Sequence, residues 1–187
     1  MVNDHPGYNP ENLAYVYIGA VDSTGRAKLI EETQRLPEVD AITTCYNLPF
    51  WGASGNNVYL PGDDRELFNI ADLYDVGNDY LNVLEIPIVE GQYFTENTTS
   101  SQEILVSRNF IEYMKPFADW KDGAVGKTVQ ITGHDTKSES MPLFTIRGVF
   151  EDFRLGSIAG EDPRAKIMFY TKGAAQHMVI RYHSLCL

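Results

Sequence analysis

Basic residues are scarce in this chain: 15 Lys and Arg stand against 26 Asp and Glu in 187 residues, a formal net charge of −11. No basic run is available to meet a polyphosphate backbone or an anionic lipid surface, which argues against nucleic-acid binding. Cysteine is scarce too. Cys45 and Cys186 have neither the Cys-x-x-Cys spacing of a redox pair nor that of a metal site, and they read as buried or unpaired thiols rather than as a disulfide. No segment approaches the roughly 18 consecutive apolar residues of a membrane span. Residues 1–6 lack the basic-then-apolar profile of a signal peptide. What is abundant is core material: 43% of the chain is hydrophobic and 12% aromatic, with 11 Tyr and 9 Phe. Such apolar surface is incompatible with a disordered chain, and the length suits one domain or two small lobes.

The residue pattern predicts a strand-rich α+β chain of mostly antiparallel strands. Residues 13–20 cluster β-branched and aromatic side chains and read as a buried strand. Cap residues Asp22, Ser23 and Thr24 precede a helix over about 26–36, with Leu29, Ile30, Thr33 and Leu36 on one face and Pro37 ending it. A second strand over 39–46 completes a strand, helix, strand unit. Residues 49–57 are turn formers enclosing Phe50 and Trp51. Strands over 58–60 and 68–76 form a hairpin through Asp63-Asp64, the second strand with one half-buried face. Asn78-Asp79 can cap a short helix over 80–84, Pro87 holds the chain extended and Gly91 turns it. Further on come a strand over 103–107, a helix over 108–115 closed by Pro116, antiparallel strands over 128–132 and 144–150, and final strands over 166–170 and 177–182.

Motifs that imitate catalytic or ligand sites have plainer readings. Gly126-Lys127-Thr128 resembles the end of a phosphate loop, but Lys121 stands where its first glycine would be and a strand follows, so no helix N-terminus aims N–H groups at a phosphate. Gly52-Ala53-Ser54-Gly55 misplaces the second glycine of a nucleophile elbow. The histidines, His5, His134, His177 and His183, are isolated, and only His177 and His183 could share a strand face. Carboxylate pairs such as Asp72 with Asp75 or Glu151 with Asp152 are what any acidic chain offers, and Asn97-Thr98-Thr99 is a sequon that chance supplies often. No catalytic constellation and no cofactor or metal site emerges.

Four segments in collinear order carry a resemblance. Residues 76–94, with Tyr80, Val83-Leu84, Ile86-Pro87, Gly91 and Phe94, resemble a "Val-x-x-x-Tyr/Phe-Phe/Leu-x-Val-Leu-x-Ile-Pro" strand end followed by "Gly-Arg-x-Phe". Residues 103–110 are similar to "x-Val-Leu-Val-Asn-Glu-x-Phe/Ala", Val125-Gly126-Lys127-Thr128-Val129 to "x-Ile-Gly-Lys-x-Ile", and residues 144–153, with Gly148 and Asp152, to "x-x-Val-Ile-Gly-Val-Val-x-Asp-Phe". These patterns belong to the MacB-like periplasmic core domain of FtsX-like ABC transporter permeases. Each residue also has a local reason: glycines for turns, Pro87 for an extended entry, Phe94 and Phe110 for the core. They are marks of a scaffold rather than of an active site.

The resemblance implies a two-lobed domain. A porter-like strand-helix-strand lobe would span 10–101, a smaller α+β lobe would be inserted at 102–162, and 163–187 would return to the first lobe. It implies a non-catalytic, cofactor-free domain on the periplasmic side of the cell inner membrane. That domain would lie between two membrane helices of a dimeric permease driven by an ABC ATPase subunit or domain, and would pass movement to a periplasmic partner or substrate. On this reading the chain is a segment of a longer protein that stops short of a further returning helix, and its acidity suits a face outside the cytoplasm. Gln92 departs from the pattern, which has Arg there. Phe50 and Trp51 are the candidate partner contacts, aromatic anchors on a loop, or else a cap on the core. The alternative function is a secreted or surface ligand-binding module using residues 49–57.

Overall fold

The computed structural model describes residues 6–51, 55–95, 102–132, 141–154, 164–172 and 175–183. Its elements run β1 (Leu13–Tyr17), α1 (Ser23–Gln34), β2 (Val39–Cys45), β3 (Gly55–Tyr59), β4 (Phe68–Val76), α2 (Tyr80–Leu84), β5 (Ile88–Gly91), β6 (Glu103–Ser107), α3 (Arg108–Met114), β7 (Thr128–Ile131), β8 (Leu143–Phe150), β9 (Ala165–Tyr170) and β10 (His177–Tyr182). All strands join one sheet, which is mixed: most pairings are antiparallel, but β4 with β9 and β6 with β8 are parallel.

At one end β1, β10, β2 and β4 lie side by side, so β10 inserts between the two strands of the opening strand-helix-strand unit. At the other end β4, β3, β7, β8, β6 and β9 close into a ring, because β9 pairs back onto β4. Closure leaves these strands no free edge. Two hydrophobic clusters follow this arrangement. One gathers Tyr74, Val76, Tyr80, Leu81, Leu84, Phe94, Phe150, Phe153 and Val179; the other gathers Val58, Ala71, Ile104, Val106, Phe110, Val129, Ile146 and Ile167.

β4 serves both. Alternation along a strand sends Tyr74 and Val76 to the first cluster and Ala71 and Leu73 to the second. From Ala71 onward one face of this strand is buried at Asp72, Tyr74 and Val76, and the other is buried at Ala71 and half-buried at Leu73 and Asp75, because a strand shared by two cores keeps little solvent side. Asp72 on this strand is fully buried and pairs with Arg164, Nη2 to Oδ2 2.8 Å. Beside it in the parallel register stands Lys166, also fully buried, its Nζ donating to the Arg164 carbonyl at 3.2 Å and lying 5.3 Å from the centre of the Phe153 ring. Buried charges cost several kcal/mol unless paired, so a slip in the β4–β9 register would be resisted by electrostatics as well as by packing.

Three local expectations change. β1 ends at Tyr17 and is an outer strand with Val16 and Tyr17 exposed, not a buried one, since it has a neighbour on one side only. α1 starts earlier than expected because Asp22 Oδ1 accepts from the Gly25 N–H at 2.8 Å. None of its residues is buried, and Leu29 and Leu36 are exposed. Asp79 does not cap α2 with its side chain; it sits at φ 59°. The Tyr80 N–H donates instead to the Tyr93 hydroxyl, which donates in turn to the Gly77 carbonyl (3.1 and 2.8 Å).

Candidate functional site

Residues 46–51 leave β2 and are held by the Tyr46 N–H on the Asp75 carbonyl, by the Asn47 side-chain amide on the Leu73 carbonyl, and by a Trp51 N–H to Leu48 carbonyl turn. Leu48 and Pro49 are buried, which leaves the next two side chains at the surface. Phe50 stands edge-on to Tyr15 at 5.0 Å between ring centres, and Trp51 stands edge-on to His177 at 4.9 Å. Tyr17 lies 5.5 Å from the same imidazole. The two expected contact residues thus belong to an aromatic group that also draws on β1 and β10. Phe50 is 39% exposed, Trp51 48% and Tyr17 61%, so the group covers part of the core and still presents aromatic surface to solvent. No charged side chain takes part in these ring contacts, and the His177 Nδ1 is engaged by the Tyr46 carbonyl at 2.9 Å.

The scaffold residues fall in three places. Tyr80 and Phe94 are in the first hydrophobic cluster, and the Pro87 carbonyl accepts from the Glu151 N–H. Gly91, Gly126, Lys127 and Gly148 meet at one corner of the ring. Gly91 opposes Gly148 across β5 and β8, and a Cβ on Gly91 would lie 2.2 Å from the Arg147 carbonyl oxygen and 2.8 Å from Gly148 Cα. The Gly126 N–H donates to the Ile146 carbonyl, and the Ile146 N–H returns to the Lys127 carbonyl. Asp152 Oδ2 accepts from the Asn109 N–H at 2.8 Å and so satisfies one of the orphan donors at the start of α3, next to the Ser107 cap. Burial raises the Asp152 pKa; hydrogen bonds from Ser107 and Asn109 and the charge of Lys166 oppose that rise.

Several residues that hold these corners escaped the sequence reading. Glu90 Oε1 accepts from the Ala124 and Val125 N–H groups at 2.9 and 3.0 Å, clamping the turn that leads to Gly126. Arg147 donates to the Tyr93 carbonyl and pairs with Glu103 at 3.0 Å; it puts a guanidinium at the corner where Gln92 replaces the pattern's arginine. Arg181 donates to the carbonyls of Val83, Glu11 and Asn9 and ties the start of the described chain to its last strand. A cation inside an apolar strand, as in His-Met-Val-Ile-Arg-Tyr or Ala-Lys-Ile-Met-Phe-Tyr, is the one signal that flags Arg181 and Lys166 beforehand.

The motifs set aside on sequence grounds stay apart in space. Lys127 enters β7 with no helix behind it. His177 and His183 sit at opposite ends of β10, the latter 2.6 Å from an Asp40 oxygen, and among the described residues no cluster of possible metal ligands exists. Asp75 accepts from the Thr171 hydroxyl, and Glu151 pairs with Arg108 at 2.6 Å. His5, His134, Ser54, Cys186 and the sequon at 97–99 lie outside the described residues. Cys45 is buried.

No curated protein sequence matches the chain. Solved structures do. The periplasmic region of MacB from Actinobacillus actinomycetemcomitans is similar over 98% of this chain and 79% of its own, with a TM-score of 0.57 at 15% identity. The extracellular domain of the noncanonic ABC-type transporter YknZ from Gram-positive bacteria is similar over 92% of this chain and 84% of its own, with a TM-score of 0.56 at 12% identity. These likenesses are of fold. The family model for the MacB-like periplasmic core domain matches residues 1–183. With its ring of strands, its paired glycines and its Asp152 cap standing where the collinear segments fall, the chain belongs to the MacB-like periplasmic core domain family.

Proposed function

We propose that this chain is the extracytoplasmic domain of an FtsX-like ABC permease, lies on the periplasmic side of the inner membrane, and relays ATP-driven movement of the membrane helices to a periplasmic partner or substrate. The observation that carries this reading is where the two ends of the fold meet. β1 and β10 are neighbours, Leu13 opposite Arg181, and the Tyr182 N–H donates to the Asn12 carbonyl at 3.0 Å. Arg181 adds bonds to the backbone on both sides of that joint. A displacement applied at both ends enters one stiff corner, and close-packed cores pass it on as rigid-body motion.

On this reading the protein is a dimeric membrane permease powered by an ABC ATPase subunit or domain. It takes no part in chemistry itself. The proposed lobes are 10–101 with 163–187, and 102–162 as the insertion; each of the two hydrophobic clusters draws residues from both. Phe50 and Trp51 are proposed to touch the periplasmic partner, supported by their exposure beside other aromatics.

The test is topological. Lys28 is exposed on α1. A Lys28→Cys variant of the full-length protein should sediment with membranes and react with a membrane-impermeant maleimide in intact cells. Labelling that needs prior lysis, or a protein recovered free of membranes, refutes the reading.

A further inference from the structure

β1 is the outermost strand of the open end of the sheet, and its hydrogen-bonding direction can be read from its two ends. The Tyr182 N–H donates to the Asn12 carbonyl, and the Ile18 N–H to the Gln176 carbonyl at 2.7 Å. In an antiparallel pair every second residue bonds to the neighbour. Asn12, Ala14, Val16 and Ile18 therefore face β10, while Leu13, Tyr15 and Tyr17 direct their N–H and C=O groups off the edge, where no partner among the described residues receives them. Natural sheets blunt such edges with lysine, proline or a bulge. Leu13–Tyr17, Leu-Ala-Tyr-Val-Tyr, contains none of these and carries no charge, in a chain whose net charge is −11.

We propose that this edge pairs with the β1 edge of a second copy of the chain, antiparallel about a two-fold axis at Tyr15. The strand fits itself. In that register Tyr15 opposes Tyr15 of the second copy and Leu13 opposes Tyr17, so every outward N–H meets an outward C=O. The facing side chains are all apolar or aromatic: Tyr17, 61% exposed in the single chain, covers Leu13, and Val16 covers Ala14 on the other face. Continued outward, the register sets Glu11 against Gly19, so carboxylate never faces carboxylate. The exposed aromatics at the edge, Tyr17 and Phe50 among them, flank the junction. A single short strand pair buries less than the roughly 800 Å² per partner of a stable interface, so association is weak and opposed by the like net charge of the two copies. This proposal stands independently of the transport reading.

Sedimentation velocity on the 187-residue chain at concentrations up to about 1 mM tests it. Runs at about 0.1 M and 1 M NaCl compare Debye lengths of about 10 and 3 Å. A monomer–dimer equilibrium that strengthens with salt is expected. Tyr17→Pro removes an outward N–H and no intrachain ladder bond, and Tyr17→Lys puts a charge on the edge; each should weaken association at least about tenfold while the chain stays folded by circular dichroism. In a Cys186→Ser background, Tyr15→Cys should form an interchain disulfide, since directly opposed residues of such a pair have Cα atoms about 5.5 Å apart. Leu29→Cys, exposed on α1, should not. A chain monomeric at the highest concentration and salt overturns the proposal. So does association untouched by both Tyr17 variants, or cross-linking through Leu29→Cys as fast as through Tyr15→Cys. Pairing of the edge only with a strand of another protein would appear as the first of these outcomes.

Discussion

Gly91 and Gly126 offer a paired experiment, because they share one constraint and differ in another. Both have a left-handed backbone, φ 74° and 82°. An alanine in that region costs about 1–2 kcal/mol. At Gly126 nothing lies within 4 Å of an added Cβ, so the conformational cost is the whole cost. At Gly91 the same Cβ would lie 2.2 Å from the Arg147 carbonyl oxygen and 2.8 Å from Gly148 Cα, both backbone atoms of β8 that cannot rotate aside. Forcing a methyl group into a packed site adds about 1–3 kcal/mol. Gly126→Ala should therefore cost about 1–2 kcal/mol and Gly91→Ala about 2–5 kcal/mol. For a chain of this size 1 kcal/mol moves the melting temperature by about 2–4 °C. The expected falls are about 2–8 °C for Gly126→Ala and about 4–20 °C for Gly91→Ala. Urea unfolding followed by circular dichroism, with the slope m unchanged, gives the same comparison as free energies. Equal losses for the two variants, or a larger loss at Gly126, would refute the claim that close approach of β5 to β8 is what excludes a side chain at Gly91.

Other outcomes follow from polar groups in the core. Tyr93→Phe deletes the hydroxyl that serves the Tyr80 N–H and the Gly77 carbonyl and should cost about 1–3 kcal/mol. Tyr80→Phe removes a buried hydroxyl that has no hydrogen-bond partner among the described residues, and chemical denaturation should find it neutral or stabilising. Burial, ahead of every other influence, lifts Asp152 above its ordinary 3.8. The folded chain then holds a proton there that the unfolded chain has released, so the Asp152 contribution to stability falls as pH rises from 3.8 through the folded-state value. Asp152→Asn should lose that pH dependence, read as the wild-type minus variant difference in a denaturation series, and an NMR titration of the carboxyl should find its midpoint above 3.8. Burial pushes the Cys45 thiol up to about 12, so maleimide at pH 8 should leave the Cys45 peptide unmodified until denaturant is added.

Elements whose signals are local were legible in the sequence. The end of α3 follows from the Pro116 stop, and the β7–β8 pairing follows from two alternating runs, observed with Thr128 opposite Thr145. The β3–β4 hairpin follows from its Asp63-Asp64 turn in the same way. Elements whose character depends on distant neighbours were misjudged. The residues of β1 are those of a buried strand, yet its place at the edge leaves Tyr17 in solvent. The apolar positions of α1 suggest a packed face, yet no residue of that helix is buried. The candidate contacts Phe50 and Trp51 were visible as aromatics in a turn-rich stretch, but Tyr15, which meets Phe50, comes from a strand more than thirty residues earlier, and His177, which meets Trp51, from one far later.

By itself the sequence determined the class of the molecule: an acidic, aromatic-rich α+β chain with four collinear segments that mark its family. It did so because hydrophobic period, caps, turns and short motifs are written in neighbouring residues. Only the tertiary structure decided that β9 returns to β4 to close a ring, that Asp72, Arg164 and Lys166 come together across the β4–β9 pair, and that Arg181 locks the two ends together. Those outcomes depend on which strands become neighbours across the whole chain. The choice is made by the joint burial of two cores and the pairing of every backbone group, which no local stretch of residues contains.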